Sequence, residues 1–133
     1  MNAAHGSTAR WYGIAGAVLA GLAVAAGAFG THALRSVLPT DRLAIFETAA
    51  RYQMYHGLAL LAVAWVADRW PSWAAMLAGS AFALGIVLFC GSLVVLALTG
   101  QGWLGMIAPV GGASFVVGWA ALAWAFAGAS RRK

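Results

Sequence analysis

Four apolar stretches, each long enough to cross a lipid bilayer, take up most of this chain: Trp11 to Gly30, Tyr55 to Ala67 with the polar turns before it, Trp73 to Leu98, and Trp103 to Ala127. A spanning helix needs about 20 mostly apolar residues at about 1.5 Å rise each. The first, third and fourth stretches supply them without one Asp, Glu, Lys or Arg. The expected fold is an all-α integral membrane four-helix bundle of up-and-down topology, with a polar segment between helices one and two. It forms one membrane domain over residues 1–133, with spans near 11–30, 48–67, 73–98 and 103–127.

Charge content points the same way. Charged residues make up 8% of the chain, against about 25% in an ordinary soluble domain, too few to keep a globule dissolved. The lipid bilayer is therefore the expected partner. The formal charge of +5 does not indicate nucleic acid, because Arg10, Arg35, Arg42, Arg51, Arg69, Arg131, Arg132 and Lys133 stand singly or in small groups near the span ends. That is the distribution of topology signals. The one cysteine, Cys90, falls inside the third span and has no partner for an intrachain disulfide.

Residues 1–25 loosely imitate a cleavable secretory signal, but the apolar run continues to Gly30 and its basic region is one arginine, so a retained helix is expected. Gly13, Ala17, Gly21 and Ala25 repeat every four residues and offer a small-residue face for another helix, either within the chain or in a second copy. With four spans, Arg10, Arg69, Arg131, Arg132 and Lys133 share a side and leave Arg35, Arg42 and Arg51 opposite. The basic majority places both termini in the cytoplasm. The short turns at 70–72 and 99–102 make helices two and three, and three and four, antiparallel neighbours.

Polar and titratable residues gather only between Thr31 and His56. Pro39-Thr40-Asp41 reads as a helix start with Thr40 as N-cap and Asp41 in the first turn. A helix from Asp41 to Ala67 would run about 40 Å against a hydrocarbon core of about 30 Å. Some of Arg51, Tyr52, Gln53 and His56 must then enter the bilayer. They cannot all face lipid, since an unpaired charge at mid-membrane costs roughly 2.5 to 3.5 kcal/mol on insertion scales.

Glu47 and Arg51 stand at i and i+4 with the acid first, the favourable order for a helical ion pair near the headgroups. The alternative is a substrate or proton site. His56, deeper, is either a neutral ring hydrogen-bonded inside the bundle or a proton-handling group. His32, Glu47 and His56 have the chemistry of a two-histidine, one-carboxylate metal site, but no HxxxH or HExxH spacing supports it, so no metal or cofactor is expected. Pro109, Gly111 and Gly112 suggest a kink in the fourth helix that frees the carbonyl of Gly105, serving either packing or a hinge near a ligand. Ser80, Ser92 and Ser114 lack a His or acid partner at recognisable spacing.

These residues together resemble a known family. Gly27-Ala-Phe-Gly-Thr-His32-Ala-Leu34, Phe46-Glu-Thr-Ala-Ala-Arg-Tyr-Gln-Met-Tyr-His56-Gly-Leu-Ala-Leu60, Phe89-Cys-Gly-Ser-Leu93, Pro109-Val-Gly-Gly112 and Gly118-Trp119 look like the small membrane proteins called domain of unknown function 423. Ala108 and Val94 depart from the family's frequent Thr and Tyr. The resemblance implies a four-span protein of the bacterial inner membrane type and no activity. It singles out His32, Tyr52, Gln53 and His56 for testing.

The expected function is a structural or accessory membrane component without catalysis, working with a homo-oligomer or a membrane-complex partner and no nucleic acid. The alternative is a small proton-coupled transporter that uses the polar cluster His32, Glu47, Arg51, Tyr52, Gln53 and His56.

Overall fold

Long apolar runs free of interior breakers yield long helices, and the computed structural model, which describes residues 3–129, is an all-α integral membrane bundle. Helix α1 (Ala3–His32) leads through a 3-10 turn at Leu34–Ser36 into α2 (Thr40–Arg69). The third span is one rod built of α3 (Trp73–Gly85), a π-helical turn at Ile86–Gly91 and α4 (Ser92–Thr99). A second 3-10 turn at Gly102–Met106 precedes α5 (Ala108–Ala129). Gly6–Ser36, Trp73–Thr99 and Gly102–Ala129 are each long and apolar enough to cross a membrane. Helix α2 has 30 residues, about 45 Å at the α-helical rise, but its first half is too polar to qualify on composition. Arg131, Arg132 and Lys133, which the orientation argument uses, lie outside the described residues, as does the side chain of His5.

Neighbouring spans run antiparallel. Gly16 meets Gly57 while Gly30 meets Phe46, and Phe82 meets Gly118 while Phe89 meets Gly111. Large apolar side chains such as Val18, Val24, Val87, Val116 and Trp124 are more than half exposed. Small ones such as Ala49, Ala75, Ala78 and Ala97 are fully buried. This inverted arrangement suits a chain whose solvent is lipid and whose helices associate through close packing.

The seam between α1 and α2 is not the ladder expected from the sequence. Its buried α1 residues are Ala9, Gly16, Ala23 and Gly30, spaced by seven, whereas Ala17, Gly21 and Ala25 are exposed and only Gly13 of the ladder packs, against Ala64. The reason is angular. Steps of four overshoot a helical turn by about 40°, so the ladder swings about 120° between Gly13 and Ala25, while steps of seven drift only about 20°. At the crossing, a Cβ on Gly57 would stand 2.9 Å from the backbone nitrogen of Ala20, and one on Gly16 would stand 2.7 Å from the carbonyl oxygen of Gly57. Glycine is required there because two backbones touch.

Two further expectations need correction. Pro39, not Thr40, is the N-cap of α2, with φ −56° and ψ 151° and no side-chain capping bond. Its ring fixes φ, and having no N–H it leaves none to satisfy at the turn. Likewise Pro109 does not kink a continuous fourth helix. It lies in the first turn of α5, just after the 3-10 turn, where the missing N–H is one that a helix start leaves unpaired anyway. Gly111 serves packing, since a Cβ on it would run into the backbone amide of Phe89.

The ends of the helices are closed by ordinary means. Ser72 accepts a hydrogen bond from the backbone N–H of Ala75 at 3.2 Å, and Gly100 ends α4 in the left-handed region at φ 75°. The guanidinium of Arg42 lies beside Gly100, with Nη1 2.7 Å from where a Cβ would stand. It thus places a cation at the negative end of the α4 dipole.

Candidate functional site

Where α2 meets the third and fourth spans, His56 is 4% exposed and both of its ring nitrogens are engaged. Nδ1 lies 2.7 Å from the carbonyl oxygen of Tyr52, one turn earlier on the same helix. Nε2 lies 3.2 Å from the indole nitrogen of Trp119 on α5. A carbonyl can only accept and an indole N–H can only donate. The arrangement that satisfies both has the proton on Nδ1 donating to Tyr52, with a bare Nε2 accepting from Trp119. That is a neutral imidazole.

Aromatic rings close around it. The imidazole stacks on Phe115 with centroids 3.4 Å apart and planes 3° from parallel. Phe82 stands at 5.5 Å and Trp119 at 6.0 Å. Tyr52 extends the cluster to Phe89, 4.8 Å away. Phe115 and Trp119 are four apart on α5 and so share a face. Two glycines let the rings in: Gly118 faces the ring of Phe82, and Gly85 faces that of Phe115. The π turn sits at this level, and the Ser92 hydroxyl at its end donates to the carbonyl of Phe89 at 3.1 Å. Single π turns inside α-helices are rare and often mark functional positions.

Other polar groups are also tied to the bundle. Gln53 Nε2 donates to the carbonyl of Leu19 at 3.0 Å, linking α2 to α1. The Ser114 hydroxyl donates to the carbonyl of Ala81 at 2.7 Å. The Tyr12 hydroxyl donates to the carbonyl of Met76 at 3.2 Å. These bonds hold α1 and α5 to their neighbours without any charge.

The remaining cluster residues go elsewhere. Arg51 is exposed, Glu47 half-buried and His32 exposed at the end of α1. The expected Glu47–Arg51 ion pair is not formed, for no carboxylate and basic nitrogen come within 4.0 Å among the described residues. An exposed helical pair is worth only about 0.3 to 0.5 kcal/mol, little against the entropy of fixing two long side chains. The structure does not assemble His32, Glu47 and His56, and among the described residues no three His, Cys, Asp or Glu side chains converge as metal ligands.

Trp119, Phe115 and Phe82 were missed as partners of His56. The available signal was Trp119 itself, an indole N–H far from either end of its span, which needs a hydrogen-bond partner when water is absent. A cleft of about 540 Å³ between Trp70, Trp73, Met76 and Trp124, beside the turn from α2 to α3, is lined by no titratable side chain. That cleft and the polar chemistry lie in different places, and the chemistry is at His56.

A family described as protein of unknown function (DUF423) matches residues 26–112. A UPF0382 membrane protein of Staphylococcus saprophyticus is 43% identical over 112 residues, covering 80% of this chain and 88% of the relative. One from Bacillus subtilis is 43% identical over 107 residues, covering 80% and 87%. One from Haemophilus influenzae is 42% identical over 101 residues, covering 76% and 81%. No solved structure matches.

Proposed function

Because this chain belongs to the DUF423 family of uncharacterised membrane proteins, we propose that it is a non-catalytic structural or accessory component of the bacterial plasma membrane and not a proton-coupled carrier. One observation carries this reading: His56, the titratable group best placed for proton handling, has both nitrogens occupied and a phenylalanine ring stacked on its face. A carrier needs its proton site open to water on at least one side in each state. The bonds of Gln53, Ser114 and Tyr12 to neighbouring helices favour the same reading, as groups that hold a fixed bundle together.

The proposal includes one membrane domain with crossings near 11–30, 48–67, 73–98 and 103–127, and both termini in the cytoplasm. Reporter fusions at residue 133 test the orientation, and a periplasmic signal there overturns it. The functional reading is tested by purification in mild detergent followed by reconstitution. A membrane partner that co-purifies and liposomes with no proton flux above empty vesicles support it. A lone protein whose proton flux is abolished by His56→Leu overturns it in favour of the carrier.

A further inference from the structure

Nine residues along an α-helix come about half-way round its axis. His56 faces the third and fourth spans, so Glu47, nine residues earlier on α2, faces away from them. Tyr12 on α1 bonds to Met76 of the third span, so Gly21, nine residues later, faces away as well. The two helices therefore share an outer face that the rest of the chain leaves uncovered. On α1 it carries Ala17, Gly21 and Ala25, all exposed, and nothing stands within 4 Å of where a Cβ on Gly21 would be. On α2 it carries Glu47 and Arg51, which line one cleft of about 340 Å³ along the seam with α1.

The acid and the base of this cleft are unanswered. Glu47 and Arg51 form no ion pair among the described residues. Their level is inside the bilayer, because Arg51 adjoins Tyr52, whose ring lies 6.4 Å from that of Phe115, close to the middle of the span Gly102–Ala129. Lipid headgroups begin about 15 Å from the midplane, half of a core of about 30 Å. A charge left bare to hydrocarbon at such a depth is costly. One carboxylate and one guanidinium cancel, so the face calls for an occupant that has no net charge and holds an acid and a base inside the bilayer at these same depths.

We infer that this face joins two copies of the chain about a two-fold axis along the membrane normal, with Glu47 of each copy paired to Arg51 of the partner subunit. Such an axis keeps every residue at its own depth, so a second copy brings the required acid and base to the right level. Side chains on a helix lean toward its N-terminus, and the long Arg51 side chain thus reaches back to the level of Glu47, one turn away. The contact is self-complementary: both pairs form at once and the assembly closes at two. Beside the charges, the small side chains at Ala17 and Gly21 let the facing helices approach closely. A lipid carries its charges only at the headgroups. The pair of copies does not rest on the structural role proposed above, for a carrier could be built the same way.

The test is energy transfer between donor-labelled and acceptor-labelled full chains in liposomes, followed as lipid is added to dilute them. The wild type is expected to show transfer that persists on dilution and fits a dimer. Glu47→Arg and Arg51→Glu, each alone, should weaken association roughly tenfold or more, because each sets like charges against one another. Donor-labelled Glu47→Arg mixed with acceptor-labelled Arg51→Glu should recover the wild-type transfer, since both pairs re-form between unlike copies. A pair made within one chain gains nothing from mixing. Gly21→Leu tests the same face without touching a charge or any neighbour within the chain, and should also weaken association. A wild type that is monomeric at every dilution overturns the inference, as does a Gly21→Leu chain that associates like wild type. Single charge variants that insert and stay apart on mixing overturn it too.

Discussion

Helix α2 has two polar faces, and they are treated in opposite ways. On the face toward the third and fourth spans, His56 finds a carbonyl, an indole N–H and a stacked ring, all supplied by the chain itself. On the face beside α1, Glu47 and Arg51 open into a groove and form no ion pair among the described residues. Both faces lie on one helix within nine residues, so sequence position does not explain the difference. The neighbours do. A neutral group can be satisfied inside a low-dielectric bundle by one or two dipoles, whereas a full charge needs a counter-charge or water. The first face is finished by folding, and the second waits for its surroundings.

Phe115→Ala is expected to have the largest effect, because it removes a 4% exposed ring that touches His56, Tyr52 and Phe89. Large-to-small changes of this kind cost about 3 to 5 kcal/mol, read as a marked fall in the melting temperature of the purified protein. Little or no fall would mean that the box does not hold the bundle. Gly57→Val tests the α1 seam. Its Cβ meets the backbone of Ala20, so a loss near the top of the overpacking range of about 1 to 3 kcal/mol is expected.

His56→Leu strands the indole N–H of Trp119 and is expected to cost about 1 to 3 kcal/mol. The double variant His56→Leu with Trp119→Phe removes both partners and should recover part of the loss, and strict additivity would show that the bond is not made. Glu47→Gln should be the mildest, within about 0.5 kcal/mol for the monomer in detergent, since no ion pair within the chain is broken. A large loss there would place Glu47 inside the bundle's own network and erase the contrast between the faces.

Much of this architecture was legible in the chain. Apolar length, the bare third and fourth spans and the Trp70-Pro71-Ser72 turn announce an antiparallel helical membrane bundle, because these signals are local. Enclosure of His56 followed from its distance along α2. The π turn at Ile86–Gly91 had no local signal. It coincides with the backbone of Phe89 approaching Gly111, a contact 22 residues away in sequence. Which face of α1 packs on α2 was not legible, because Gly and Ala are frequent enough on that helix to form more than one ladder, and only α2 decides which is used within the chain. Pro109 was read as an interior residue because the apolar run continues through the 3-10 turn, which composition does not reveal.

The central claim is that His56 is a neutral, structural imidazole, with its proton on Nδ1 and a bare Nε2 that accepts from Trp119. Solid-state NMR of nitrogen-labelled histidine in bilayers at neutral pH reads this directly. The account expects one His56 signal pair with Nδ1 protonated, Nε2 unprotonated and close to the Trp119 indole proton, and slow exchange with water. A doubly protonated ring, or an Nε2–H tautomer in rapid exchange with water, would contradict it.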